Sequence, residues 1–359
     1  MRTLDLMRHM DQNKYKFHFC VLSGLPGDLD DEVRSLGGEV YYIKLGYNFP
    51  RAFRRLLRFK DFQVVHSHVH FFSGYILRLA AQEGVSGRIA HFRNTDDGKK
   101  PTFLRLMRNR IFKSWINKYA TGIVAVCEGA MSFAWGQLWK QDPRCRVIYN
   151  GLDVSGFNAY TDSDDVRKEF NLPEDCKLFI HVGRMVPQKN HNRVITIFNQ
   201  IAHLRPNVAL LLVGRAEANL EPGLRQTVSN LKLSAKVAFA GERRDVPRLL
   251  KASDVMIFPS LWEGLPGAVL ESCAVGTPVL GSDLPGIREI AAQFPSFVKF
   301  LPLESSDSEW AIRAESMIED QKIIELKSNI PNLFNDSMFS IDRCIQEFSR
   351  LWENELARN

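Results

Sequence analysis

Residues 182–190 read VGRMVPQKN and follow a short β-rich run, Leu178–Val182. Gly183 frees the backbone to turn where that strand ends. Arg184 and Lys189 then place two cations just outside the carboxyl edge of the strand. Arginine offers a planar fork to phosphate oxygens and lysine a compact point charge, each charge-assisted bond contributing about 1.5–3 kcal/mol. A diphosphate fits such a turn. Taken alone, so does an ordinary solvated basic loop, and the surrounding chain has to decide between them.

Downstream, β-rich runs recur at Val208–Val213, Val237–Ala240, Val255–Pro259 and Pro278–Gly281, separated by helical patterns. Upstream they recur at Phe17–Leu22, Val40–Ile43, Val64–His68, Arg88–Phe92, Gly122–Val126 and Arg146–Tyr149. This alternation is that of βαβ units, which build parallel sheets. The 359 residues suit two domains better than one. The acidic, polar stretch TDSDDVRKEFNLPEDC, Thr161–Cys176, separates the two series of strands, so the boundary is placed within 151–175. The fold class expected is α/β, with two doubly wound, Rossmann-like domains at 1–155 and 156–335 and a C-terminal helix in 336–359 that packs back on the first. Such sheets bind ligands at the carboxyl ends of their strands, where two domains can face each other across a cleft.

Composition removes several classes. Hydrophobic residues make up 45% and charged residues 25%, which are globular values, and no window reaches the roughly 18 apolar residues of a membrane span. The start, MRTLDLMRHMDQNKYK, lacks the apolar core and cleavage site of a secretory signal. A cytoplasmic location is therefore expected, with attachment to the inner face of the membrane as an extension of it. The six cysteines (Cys20, Cys127, Cys145, Cys176, Cys273, Cys344) form no C-x-x-C pair and read as reduced thiols. Charge is uneven: residues 1–150 carry 24 Lys+Arg against 13 Asp+Glu, and the rest 23 against 28. The first half is thus set to face something anionic.

The balance at Arg184 and Lys189 shifts with PSLWEGLPGAVLESCAVGTPVLGSDLPGIREI, residues 259–290. Glu263 ends a loop after a strand, and Glu271 lies eight residues on, on a helix expected to begin near Pro266. Gly264 and Gly267 make the turn flexible, so amides at a helix start can point at an oxygen-rich ligand. An ionised carboxylate accepts several hydrogen bonds and donates none, which suits sugar or ribose hydroxyls.

In combination these segments resemble the retaining glycosyltransferases of family 4, whose GT-B fold consists of two Rossmann-like domains facing a cleft. The resemblance is carried by strand-VGR-x4-K, by F-x-G at Phe239 and Gly241, and by strand-PS-x3-EG-x6-E-x4-G-x-P-V. It extends through VIYNGLDVSGF (147–157), VVHSH (64–68) and RIAHFRNT (88–95). The resemblance implies that Arg184 and Lys189, with Gly183, hold the donor diphosphate. Glu263, with the amides of Gly264 and Leu265, would grip the donor sugar, and Glu271 the ribose. His91 matches the family histidine that approaches the sugar, so Glu263 and His91 are the catalytic candidates. No divalent metal and no other cofactor is expected, since the two cations supply positive charge to the leaving group. The aspartates Asp28, Asp30 and Asp31 read instead as a helix N-cap cluster.

His66, His68 and His70 alternate along a strand end, which puts the first two on one face. A metal site is one reading, but no carboxylate or cysteine accompanies them, and cleft lining is the other. Arg93 departs from the family, where a histidine often stands in H-x-H-N. The stretch KKPTFLRLMRNRIFKSWINKYA (99–120) carries seven basic residues and no acid, with Phe103, Met107, Ile111, Trp115 and Tyr119 spaced by four. Together with PRAFRRLLRFK (50–60) it is a candidate surface for an anionic membrane; packing of the stripe against the sheet is the alternative. Nucleic acid is not an expected partner, because no nucleic-acid motif accompanies the charge.

A second departure is at the start. Family members open with a strand and a Gly-rich loop, whereas here RTLDLMRHM already reads as the helix that such a loop would feed. The first strand of the N-terminal domain is thus expected to be absent. Either its neighbours close up, or the reading frame is truncated by about 15–20 residues, judged from ordinary strand and loop lengths. The truncated form would be destabilised and poorly active. The resulting expectation is a retaining transferase moving a sugar from a nucleotide sugar, a UDP-sugar foremost, to a lipid-linked or surface-polysaccharide acceptor. The alternatives are another GT-B enzyme, such as a nucleotide-sugar epimerase, and an inactive nucleotide-sugar-binding protein.

Overall fold

The structure, a computed structural model, describes residues 2–95, 102–159, 165–217 and 220–357. The chain divides into two compact units, residues 1–151 with 338–359, and residues 152–337. Both are parallel α/β assemblies, as the alternation requires.

In the second unit one six-stranded sheet is formed by β7 (Lys177–Val182), β8 (Val208–Val213), β9 (Val237–Gly241), β10 (Val255–Phe258), β11 (Val279–Ser282) and β12 (Val298–Leu301). Its spatial order is β12-β11-β10-β7-β8-β9, and every pairing is parallel. β8 and β10 are buried along their whole length, as expected of strands with helices on both faces. β12 was not anticipated from the sequence. It is an edge strand with Phe300 exposed and Lys299 half-exposed, so its apolar run is too broken to stand out.

In the first unit the sheet is divided. β1 (His18–Val21) pairs with β2 (Glu39–Tyr42), while β3 (Val64–Ser67), β4 (Gly87–Phe92), β5 (Gly122–Ala125) and β6 (Cys145–Val147) form a separate four-stranded sheet in that order. Among the described residues no strand joins the two sheets. Of the two alternatives for the start, closing up of the neighbouring strands is not what the structure has: among the described residues β1 and β3 share no ladder. The segment expected to be a helix at the start is one, over Arg2–His9.

Two apolar layers cover this divided sheet. On one face, Leu6 and Met10 of the first helix meet Cys344, Phe348 and Leu351 of the helix Ile341–Leu356, with Ile89 and Val124 beneath them. On the other, Phe49, Phe53 and Leu57 meet Ile76 and Leu79. Gly151, from the N-G-L-D stretch, is required by packing: a Cβ there would press on Cys344, Ile341 and Ser340 at 2.6–2.9 Å.

Two local expectations need correction. The aspartate cluster does not cap its helix: the cap position of Asp30–Ser35 is Leu29, without a side-chain cap, and Asp30 instead accepts from Gly27 N–H at 2.8 Å. The apolar stripe of the basic helix, Phe103–Tyr119, does not pack against the sheet over its amino half. Phe103, Met107 and Ile111 are 76%, 45% and 48% exposed, and burial begins with Ile116. Lys99, Lys100 and Pro101 of that stretch, like 161–164 of the interdomain segment, lie outside the described residues.

Candidate functional site

The order of the second sheet fixes where a ligand would bind. From β7 the chain runs outward to β8 and β9, then returns to β10 and runs the other way to β11 and β12. The reversal opens a crevice outside the carboxyl ends of β7 and β10. The two motif loops leave the sheet at these ends: 183–190 follows β7 and 259–266 follows β10.

The two loops are stitched together. Gln188 donates from Nε2 to the Trp262 carbonyl at 2.7 Å, Leu261 N–H donates to the Gln188 carbonyl at 2.8 Å, and Asn190 Nδ2 donates to the Pro259 carbonyl at 3.1 Å. Asn190 takes φ 56°, a left-handed conformation that asparagine tolerates, and it starts the helix His191–Leu204. Within this frame Lys189 Nζ reaches Glu263 Oε1 at 2.6 Å, with only 17% and 8% of the two side chains exposed, and it also lies 4.7 Å from the centre of the Phe258 ring. A charge pair this deep is held by its partner as much as by the fold. Arg184, by contrast, is exposed, and its side chain makes no hydrogen bond or ion pair among the described residues.

The glycines explain how closely these loops approach. A Cβ on Gly214 would run into the Gly183 carbonyl, and one on Gly286 into the Gly264 carbonyl. Gly286 thus lets the helix Pro285–Gln293 press against the Glu263–Leu265 turn and fix it. Neither Gly214 nor Gly286 had been singled out in the sequence, although both stand at strand-to-loop or loop-to-helix junctions in G-R and P-G-I. Glu271 lies half-buried in the second turn of the helix Gly267–Ala274, whose first turn has no side-chain cap.

Beneath the crevice two histidines are kept neutral. His181 is fully buried and shares a hydrogen bond between Nδ1 and the Ile257 carbonyl at 2.8 Å; burial holds its pKa well below the ordinary value. Burial likewise brings His191 down to about 4. The sequence reading missed both: His181 lies inside the apolar run LFIHV, where a histidine reads as packing, and His191 lies among the polar residues that open a helix.

The first unit has a cluster of its own at the carboxyl ends of β3 and β4. His66 Nε2 and His91 Nδ1 are 3.1 Å apart, and the rings of His66 and His68 stack at 4.5 Å, so the alternation did place these two on one face. His91 is buried, and its Nε2 has no hydrogen-bond partner. Burial, then the charges of Arg93 and the neighbouring histidines, hold His91 well below the usual pKa. The ligand atoms of His66, His68 and His91 all lie within 4.8 Å of one another, close enough to share an ion. Arg93, whose Nη2 donates to Thr3 Oγ1 at 3.3 Å, brings a positive charge to the same cluster. His70 is not part of the group. Elsewhere, the six cysteines are all free thiols.

Comparison with known proteins matches residues 1–155 to the family model for Glycosyltransferase Family 4 and residues 162–330 to that for Glycosyl transferases group 1. The capsular polysaccharide biosynthesis glycosyltransferase CapH of Staphylococcus aureus is 29% identical over 98% of this chain and 94% of its own length. The UDP-Gal:alpha-D-GlcNAc-diphosphoundecaprenol alpha-1,3-galactosyltransferase of Escherichia coli is 27% identical over 86% of this chain and 81% of its own. Among solved structures, Anabaena HepE in complex with UDP superposes with a TM-score of 0.80 at 18% identity, over 98% of this chain and 95% of that one. No helix among the described residues is long and apolar enough to cross a membrane. With the two family models together spanning nearly the whole sequence and both units built as parallel Rossmann-like sheets, the chain belongs to the family 4 glycosyltransferases and is an enzyme of the GT-B fold.

Proposed function

We propose that this glycosyltransferase moves a sugar from a UDP-sugar to a lipid-linked or surface-polysaccharide acceptor with retention of anomeric configuration. The observation that carries the donor assignment is the Lys189–Glu263 pair at 2.6 Å, set at the sheet's point of reversal beside the unpaired Arg184. The names of the S. aureus and E. coli relatives, one a capsule enzyme and one using UDP-galactose with a diphosphoundecaprenol-linked acceptor, support the substrate classes.

In this reading Arg184 meets the diphosphate with an uncompensated charge, while Lys189 divides its charge between phosphate and Glu263. Glu263, with the amides of Gly264 and Leu265, orients the sugar hydroxyls, and Glu271 accepts from the ribose. The bond from the anomeric carbon to the diphosphate oxygen breaks, and the acceptor oxygen bonds to that carbon on the same face. The acceptor proton passes to a phosphate oxygen of the departing diphosphate. Positive charge at the leaving group lowers this barrier most. His91, neutral and with Nε2 unpartnered, is suited to accept a hydrogen bond from a sugar hydroxyl rather than to carry charge.

Because two side chains supply the positive charge, no divalent ion is required, and turnover is expected to persist in EDTA. Loss on chelation with recovery on Mg²⁺ or Mn²⁺ would contradict this account. Attachment to the inner face of an anionic membrane is part of the same proposal. It is supported by the exposed Phe103, Leu104, Leu106, Met107 and Ile111 among the arginines of Phe103–Tyr119. The reaction is tested with a radiolabelled donor panel and NMR of the product. Transfer from a UDP-sugar with retained configuration supports the proposal; epimerisation of the donor, or binding without turnover, refutes it.

A further inference from the structure

β3 and β4 bring three imidazoles to one point. Their parallel ladder pairs His66 with Ile89 and Ser67 with Ala90, so the next step of the register sets His68 against His91. Side chains two apart along a strand share a face, and all three rings therefore stand on the same side of the sheet. Their centres form a tight triangle, with His66 and His68 4.5 Å apart, His68 and His91 4.8 Å, and His66 and His91 5.1 Å. Phe348 of the helix Ile341–Leu356 backs the triangle, at 5.7 Å from His66 and 5.9 Å from His91. Packing thus holds two of the rings, while His68 follows the last residue of β3 and is exposed.

The nitrogens suit a metal ion. Zn²⁺ takes imidazole nitrogens at about 2.0–2.1 Å in a tetrahedron, which spaces neighbouring nitrogens about 3.3–3.4 Å apart. His66 Nε2 and His91 Nδ1 are already 3.1 Å apart, and one ligand nitrogen from each of the three rings lies within 4.8 Å of the others. Rotation of the exposed His68 side chain between rotamers closes the remainder. Arg93 sets a positive charge beside the cluster, so metal–nitrogen bonds must carry the binding. The donor set therefore favours an ion that prefers imidazole over Mg²⁺ or Ca²⁺, which take oxygen ligands.

We propose that His66, His68 and His91 form a site for one Zn²⁺ ion, bound by three imidazole nitrogens with its fourth position open to water, and that occupancy blocks sugar transfer. The block rests on the role given to His91 in transfer; the binding does not. As acceptor from a sugar hydroxyl, His91 Nε2 carries no proton, so the ring proton sits on Nδ1, within reach of His66 Nε2. Zn²⁺ takes Nδ1 in place of that proton, which passes through water to Nε2, and the ring stays neutral. Nε2 then donates where it had accepted. The dication also stands on the ring that meets the sugar, where positive charge develops as the bond to the diphosphate breaks. Both changes raise the barrier.

The test is calorimetric titration of the untagged full chain with zinc chloride, beside heteronuclear NMR of its isotope-labelled histidine rings. One ion per chain should bind. His68→Ala, a change at an exposed side chain, and His66→Gln should each weaken binding by at least about 100-fold, beyond the roughly 10–100-fold lost with a residue outside the ligand shell. Magnesium chloride should give no binding heat, and Zn²⁺ should move the His91 ring proton from Nδ1 to Nε2. Absence of Zn²⁺ binding, affinity that survives in both variants, or an unchanged His91 tautomer would overturn the site. Saturating Zn²⁺ should lower transfer at least about tenfold in the wild-type chain and less than about threefold in His68→Ala. Equal inhibition of the two would overturn the block. A chain that binds Zn²⁺ at these histidines yet transfers from no UDP-sugar would refute the donor reading and support the metal site.

Discussion

The two units are built from the same grammar of parallel strands and helices, yet only the second has a continuous sheet. There, β7 and β10 are central, each hydrogen-bonded on both edges, and the loops beyond them are pinned by Gln188, Asn190 and the Lys189–Glu263 pair. In the first unit β1 and β3 are each bonded on one edge only, and the cluster of His66, His68 and His91 stands at the carboxyl ends of β3 and β4. A closed sheet turns loop residues into a preorganised charge site. A divided one leaves His66 on a strand bonded on one edge only, while its neighbour His91 stands on β4, which is bonded on both.

The largest effects should come from the pinned site. Arg184→Ala is expected to lower kcat about 100-fold while leaving the fold intact, because its side chain is exposed and has no protein partner to lose. A change of less than about threefold in a steady-state assay would break the contrast between the two units. Lys189→Ala should both abolish transfer and cost about 3 kcal/mol of stability in the second unit, since it removes the cation that meets the buried Glu263 carboxylate. Restored stability, without restored activity, in Lys189→Ala/Glu263→Gln, read by denaturant melts, would separate the structural from the chemical role.

Exchange kinetics provide the next comparison. The amides of His18, Cys20, Val64 and His66, which face away from β2 and β4, should exchange at least about tenfold faster than those of Ile180 and Ile257, from a difference of about 1–3 kcal/mol per unmatched group. Acid should weaken both units, because burial holds His66, His68 and His91 of the first below their usual pKa as it does two histidines of the second. His181 and His191 in the second unit are held neutral by burial. Their pKa values are lower folded than unfolded, so the unfolded state binds more protons and stability falls as pH drops below about 6.5. For His191 the loss continues down to about 4, and each such histidine costs about 1 kcal/mol by pH 5.5. Acid melts monitored by unit-specific probes should therefore show the second unit losing stability on acidification. A second unit with constant stability between pH 7 and 5.5 would mean these histidines are not buried neutral.

The smallest effect expected is at the membrane face. Adsorption to anionic vesicles should be salt-sensitive and weaken by about 1 kcal/mol for each charge reversed at Arg108, Arg110 and Lys118. Lys113, an obvious choice from the sequence, is unsuitable because it packs 5.2 Å from the centre of the Trp135 ring. A protein that ignores such vesicles at low salt would leave the exposed Phe103 and Met107 without this role.

Much of this was legible in the chain. Strands buried on both faces, such as Val208–Val213, announce themselves as unbroken apolar runs, and G-R-x4-K and E-G-x6-E mark the loops beyond them. The edge strand β12 carries no such run. The Lys189–Glu263 contact is invisible because its partners are 74 residues apart in sequence and meet only where the strand order reverses. Gly214 and Gly286 were missed for a related reason: what demands glycine is a carbonyl from another loop.

The central claim is that the loops at the reversal of the second sheet hold a nucleotide diphosphate through Arg184 and Lys189. Calorimetric titration of the wild-type chain and Arg184→Ala with UDP and with uridine tests it most directly. The account predicts that Arg184→Ala weakens UDP binding by about 2–5 kcal/mol and leaves uridine nearly unchanged. Equal losses for both ligands, or undiminished UDP affinity, would contradict it.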